Sequence, residues 1–239
     1  MQGPLAGPSR SAPLMSTEVT KSMSAHAHHE EGYDHEYLLH PDDEDYGGAT
    51  PGKIGMWMLL LSDAFSFFGL LLAYGIMRGE AEVWRPEYLP ELGIGFTAVM
   101  TFVLICSSVS MVLAHSACVD GDRKGTTKWL ALTVLGGLFF LGGQVYEYQH
   151  LIHLGLEFGN PLVGESRYAT TFYMITSFHG AHVLTGVIYL TVMTINSARG
   201  KYDGGGMKAA NSIEIAGLFW HFVDLVWILV FTFVYLVPE

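Results

Sequence analysis

EIAGLFWHFVDLVWILVFTFVY, residues 214–235, is the stretch that decides the fold. Its length and apolar content suit a bilayer span, for which about 20 residues suffice, yet it carries Glu214, His221 and Asp224. At 3.6 residues per turn, Glu214, Gly217, His221, Asp224 and Ile228 fall on one narrow stripe, while Leu, Phe and Val cover most of the rest. An acid at mid-bilayer costs roughly 2.5–3.5 kcal/mol on insertion scales. The stripe is therefore expected to face protein, a lipid headgroup or water rather than acyl chains. Trp220 and Trp227 share a second face, read as a packing surface.

Upstream, four more apolar runs have spanning length, which gives five expected spans near 53–77, 93–117, 127–152, 168–196 and 212–236. The chain is thus read as all-α, a polytopic membrane protein whose residues 51–239 form a bundle of five transmembrane helices. Short polar connections make neighbouring helices antiparallel. Half of the 239 residues are hydrophobic and 15% are charged, too few charges for a soluble domain of this length. The net charge of −11 says little, since nine of the 23 acids lie in the first 45 residues. No basic patch, zinc-finger spacing or phosphate-cradling glycine loop supports nucleic-acid binding.

Residues 1–50, rich in Gly, Pro, Ser, His and acid, read as a flexible extramembrane arm. Its His26, His28, His29, His35 and His40 alternate with acids, as in a solvated polar tail. Cys106 and Cys118 share one expected helix about 18 Å apart along its axis, too far to bridge. Basic residues set the orientation. Lys53, Arg123, Lys124, Lys128, Arg199, Lys201 and Lys208 stand on one side of the membrane, against Arg78, Arg85 and Arg167 on the other. The N-terminus is expected on the cytoplasmic or matrix side and the C-terminus across the membrane. Trp57, Trp84 and Trp129 are expected in the interfacial belt.

Asp63 is the most isolated acid within a span, and is either a carboxylate serving protons or a partner, or a structural acid bonded to a neighbouring helix. In the third span Gln144, Glu147 and Tyr148 share a face, and His150 follows Glu147 by three residues. That single Glu-x-x-His spacing resembles one of the two such pairs of a di-iron site, which also needs two further carboxylates. His179 and His182 are one turn apart on the fourth span. The favoured arrangement is interhelical hydrogen bonding, with Glu147 and Glu214 as acceptors and the histidines as partners.

Several strings then fall into place together: Ala114-His115-Ser116, Gly121-Asp122-Arg123-Lys124, Glu147-Tyr148, Thr171-Phe172, Phe178-His179-Gly180-Ala181-His182 with Gly186, and Trp220-His221-Phe222-Val223-Asp224 with Trp227. In this order and spacing they closely resemble subunit III of the haem-copper respiratory oxidases, over roughly residues 53–237. The resemblance implies a subunit without haem or copper of its own. It would pack on the catalytic subunit I, with subunit II in the same assembly, hold phospholipid, and support proton uptake and sustained turnover. Haem and copper are expected in the partner subunits, and a larger respiratory supercomplex is compatible with this.

By position, Asp63 matches the family's intramembrane acid, usually a glutamate after serine. Glu147, His179, His182, Glu214, His221 and Asp224 match its other intramembrane polar positions. Arg123 and Lys124 match a basic loop on the proton-uptake side. Two departures stand out: aspartate shortens the reach at 63, and the first two of the long form's seven spans are missing, so that a partner would have to supply the other wall of the lipid cleft. Five-span forms occur among quinol oxidases, which keeps quinol open beside cytochrome c as electron donor. The expected home is the inner membrane of a bacterium or, failing that, of a mitochondrion. A proton or ion transporter would share the buried acids, but no internal repeat of the kind transporters carry is visible.

Overall fold

The computed structural model describes residues 50–81, 84, 93–156, 166–203 and 206–237. Apart from Thr50, the arm lies outside the described residues, as does Arg85. Five helices follow one another: α1 Pro51–Glu80, α2 Ile94–Val119, α3 Arg123–His153, α4 Ser166–Ala198 and α5 Met207–Val230, the last continuing as a π-helical stretch, Phe231–Leu236. No strand occurs among the described residues. All five helices are long and apolar enough to cross a membrane, and each exceeds its expected span by a few residues at one end or both. Part of the excess is polar chain, such as residues 78–80 and 123–126, that extends the helix beyond its hydrophobic run.

Local chemistry explains the boundaries. The Thr50 hydroxyl accepts the Lys53 amide at 3.3 Å, and Pro51 occupies the first turn, where a missing N–H does no harm. Asp122 caps α3 by accepting the Gly125 amide at 3.0 Å. Between α2 and α3 the chain turns at Gly121 with φ 74°, a left-handed conformation that favours glycine.

α2 packs on α3, α3 on α4, α4 on α5 and α5 back on α2, so four helices close a ring, and α1 leans on α4 and α5 from outside. Close approach depends on missing side chains. A Cβ on Gly137 would meet Val187 at 2.5 Å and Trp220 at 2.6 Å, and one on Gly136 would meet Ser107 at 2.7 Å. Without a hydrophobic drive in lipid, such close packing is what holds helices together. α1 is the exception: it buries only Leu60, Phe67 and Tyr74, a single seam repeating every seven residues. Trp84 does not sit in an exposed belt. It is buried, donating its indole N–H to the Tyr74 hydroxyl at 3.3 Å and packing edge-on against Tyr168. Trp57 is exposed.

Candidate functional site

Each intramembrane polar residue singled out in the sequence can be placed, and most answer to a neighbour on another helix. Glu147 of α3 is buried. Its Oε1 accepts the Thr97 hydroxyl of α2 at 3.0 Å, and its Oε2 accepts the Tyr235 hydroxyl at 3.2 Å. Tyr235 reaches it from the π-helical end of α5, where the i→i+5 pattern shifts side-chain register relative to a continued α-helix.

α5 meets α2 through a ladder of hydroxyls. Trp220 donates its indole N–H to Ser107 at 3.0 Å, Asp224 accepts the Ser108 hydroxyl at 2.7 Å, and Trp227 donates to Thr101 at 2.8 Å. The tryptophan face is thus a packing surface, as expected, with each indole given a hydrogen-bond acceptor. Ser110 meets Thr133 of α3 at 2.8 Å, extending the ladder sideways. None of these hydroxyl residues was singled out in the sequence, although Ser107, Ser108 and Ser110 together in an apolar span were a readable signal of a helix interface.

His179 and His182 do not act as a pair. His179 is fully buried against Phe140 and Trp227, with its Nε2 3.1 Å from the Val223 carbonyl of α5. His182 turns to α1 instead: Nδ1 lies 2.8 Å from the Phe178 carbonyl, Nε2 lies 3.5 Å from Asp63 Oδ2, and Phe67 covers the ring. Three residues of helix separate them by about 60° around the axis, enough to give them different neighbours. Asp63 is therefore not isolated. Because a carbonyl can only accept, the Nδ1 contact needs a hydrogen on Nδ1, while the 3.5 Å Nε2···Oδ2 approach is longer than an ordinary hydrogen bond.

The two glutamates do not take histidine partners, which corrects the expectation for both. Glu147 uses a threonine and a tyrosine. Glu214 pairs with Lys53 at 2.8 Å, near the N-terminal ends of α5 and α1, beside a Thr50–Asn211 hydrogen bond of 3.2 Å. Helices α1 and α5 run the same way, so their first turns lie at one depth, where a lysine can meet an acid. Arg123 binds Asp203 at 3.1 Å and also donates to the Ala198 carbonyl, tying the start of α3 to the end of α4, while Lys124 is exposed. His221, half-buried, makes no hydrogen bond among the described residues. No three His, Cys, Asp or Glu side chains gather there in a group that could hold a metal ion.

A furrow of about 480 Å³ runs between α1 and α5, lined by Phe68, Leu71, Phe222, Leu225 and Leu229, with Arg78 toward one end. It lies on the opposite side of the α1 seam from Asp63.

Five apolar helices whose buried polar groups mostly answer to one another define a multi-pass integral membrane protein of the all-helical class. Residues 49–238 match the family described as cytochrome c oxidase subunit III, and the chain belongs to that family. It is 33% identical over 233 residues to cytochrome c oxidase subunit 3 of Synechocystis sp., covering 94% of this chain and 88% of the relative. It is 35% identical over 186 residues to the probable cytochrome c oxidase subunit 3 of Nocardia farcinica, covering 77% and 87%. With cytochrome c oxidase subunit 3 of Thermostichus vulcanus it shares 35% over 187 residues, covering 78% and 87%. The resemblance drawn from the sequence strings is the family these matches give.

Proposed function

We propose that this chain is a non-catalytic subunit of a haem-copper terminal oxidase, packing on the haem-bearing subunit and supporting proton uptake and durable turnover. The observation that carries this reading is the Asp63–His182 pair, an acid and an imidazole 3.5 Å apart at a half-buried position on two helices. A small approach would bring the two groups within the roughly 2.6–3.2 Å reach that proton transfer needs. The other buried carboxylates are held by hydroxyl donors, which suits a scaffold more than a reaction centre. Haem and copper belong, in this reading, to the partner subunits, and phospholipid lies against the exposed surface of α1. The N-terminus faces the cytoplasm of a bacterium and the C-terminus the periplasm. Cytochrome c is the electron donor we favour, since the relatives are named for it.

The test is gentle solubilisation followed by identification of what co-purifies. A haem-bearing chain is expected, together with a copper-binding subunit if cytochrome c supplies electrons. A quinol-oxidising assembly would lack that copper. Recovery of this chain alone, with no haem in its company, would defeat the reading.

A further inference from the structure

Three of the described acids have a basic side chain beside them: Glu214 has Lys53 at 2.8 Å, Asp203 has Arg123 at 3.1 Å, and Asp63 has the His182 imidazole at 3.5 Å. Asp224 has His221 one turn before it on α5. Glu147 is 5% exposed and pairs with no Lys, Arg or His among the described residues. The groups around it are phenols and a hydroxyl. Tyr235 from the end of α5 and Thr97 from α2 bond it directly. Tyr148 follows it on α3, and Tyr168 of α4 stacks on Phe172, which packs against Tyr235. Farther along α3, His150 and His153 are exposed, His150 stacked on Tyr146. Of the arginines on this side of the bundle, Arg167 is exposed and Arg78 lines the furrow between α1 and α5. An ionised Glu147 would be a buried charge facing only neutral groups, an arrangement that proteins avoid by leaving the group neutral.

The hydrogen count points the same way. Thr97 Oγ1 lies 3.0 Å from Glu147 Oε1 and 3.3 Å from the Gly93 carbonyl oxygen. A hydroxyl has one hydrogen to give and a carbonyl has none. So long as the acid is ionised, Thr97 must choose between the two oxygens. Both contacts are hydrogen bonds at once only when Glu147 supplies the hydrogen of the first. Thr97 then gives its own to Gly93, and Tyr235 donates to the remaining oxygen, Oε2, at 3.2 Å. Each hydroxyl hydrogen has its own acceptor. We infer that Glu147 is a proton-binding site, whose carboxyl carries a hydrogen at neutral pH and donates it to Thr97. As a neutral acid it joins α2, α3 and the end of α5. From Glu147 to His153, the end of α3, is about 9 Å of helix rise, so the site lies toward the side of the bundle opposite Lys53 and Glu214. The inference goes beyond the proposed function and does not rest on it.

The test is infrared spectroscopy of the purified protein, with whatever chains accompany it, at neutral pH. An un-ionised carboxyl has a carbonyl stretch well apart from the bands of a carboxylate. Glu147→Gln is expected to remove one un-ionised carboxyl band from the wild-type spectrum. Loss of carboxylate bands, with the un-ionised region unchanged, overturns the inference. Thr97→Val gives a second reading that does not need the first variant to fold. It should leave the band in place but move it to higher frequency, because the acid O–H has lost its acceptor; an unmoved band overturns the donation to Thr97. Thermal unfolding adds a third. The amide of Glu147→Gln can donate N–H where the acid donates O–H and can still accept from Tyr235, so this variant should keep the wild-type midpoint. Glu147→Leu keeps neither bond and should unfold at a lower temperature. A fall in Glu147→Gln as large as that in Glu147→Leu counts against a neutral acid. None of these outcomes bears on the subunit assignment, which co-purification of haem decides.

Discussion

Tyr235 and Glu147, 88 positions apart in sequence, meet in the bundle interior with the phenol donating to the carboxyl across 3.2 Å. The contact ties the π-helical end of α5 to α3, and Thr97 brings α2 to the same acid. Tyr235→Phe keeps the ring and removes only the donor. It should destabilise the complex by about 1–3 kcal/mol, the cost of leaving one buried acceptor oxygen unsatisfied. Thermal unfolding of the purified complex reads this, and a wild-type midpoint would show that the bond contributes nothing.

Asp63 allows a sharper experiment than deletion. Asp63→Asn keeps a polar group beside His182 but removes the carboxyl, whereas Asp63→Leu removes both. If the pair handles protons, both variants keep wild-type haem spectra and both lose proton uptake or turnover durability. If it is only a fastening between α1 and α4, Asp63→Asn behaves as wild type and Asp63→Leu alone fails.

Gly137 is expected to tolerate nothing larger. Gly137→Ala places a methyl where Val187 and Trp220 already stand, and should cost about 1–3 kcal/mol through overpacking. Gly142→Ala, on the same helix with open space at its Cβ, should be neutral or slightly stabilising because alanine favours helix. Equal behaviour of the two would mean that the α3–α4–α5 contact yields easily.

The Trp227–Thr101 hydrogen bond should show as coupling in a double-mutant cycle of Trp227→Phe with Thr101→Val. About 0.5–1.5 kcal/mol is expected, in the range measured for polar contacts inside membranes. Strict additivity would mean that tryptophan holds α2 by its bulk alone.

Lys53 and Glu214 are partly exposed, so their bond is worth at most about 1 kcal/mol. Lys53→Glu should weaken the docking of α1, measured as faster proteolysis or cysteine labelling near its N-terminal end. The exchanged pair, Lys53→Glu with Glu214→Lys, should bring it back.

The five spans were legible because twenty-residue apolar runs between polar turns have few other fates. The tryptophan face of α5 was legible for the same reason, from helical period alone. The partners of the glutamates were not. Glu214 was read as a buried acid because its neighbours in sequence are apolar, but helix direction sets its depth, and that brings it level with Lys53. Glu147 depends on Tyr235, whose direction is set by a π-helical end that no residue pattern announced. His179 and His182 share a helix turn, so periodicity grouped them. Their separation follows from which helices flank α4, and that is knowledge of packing order.

The order of synthesis gives the narrow seam of α1 a last significance. Of the five described helices this one is made first, yet the helices it packs on are α4 and α5, which are made after α2 and α3. Until then it must wait in the lipid as a lone rod, carrying an aspartate that has not yet met its imidazole. Insertion of this helix and its docking are therefore separate events in time. The interval between them is when a chaperone, or the oxidase partner itself, can take hold of the nascent protein.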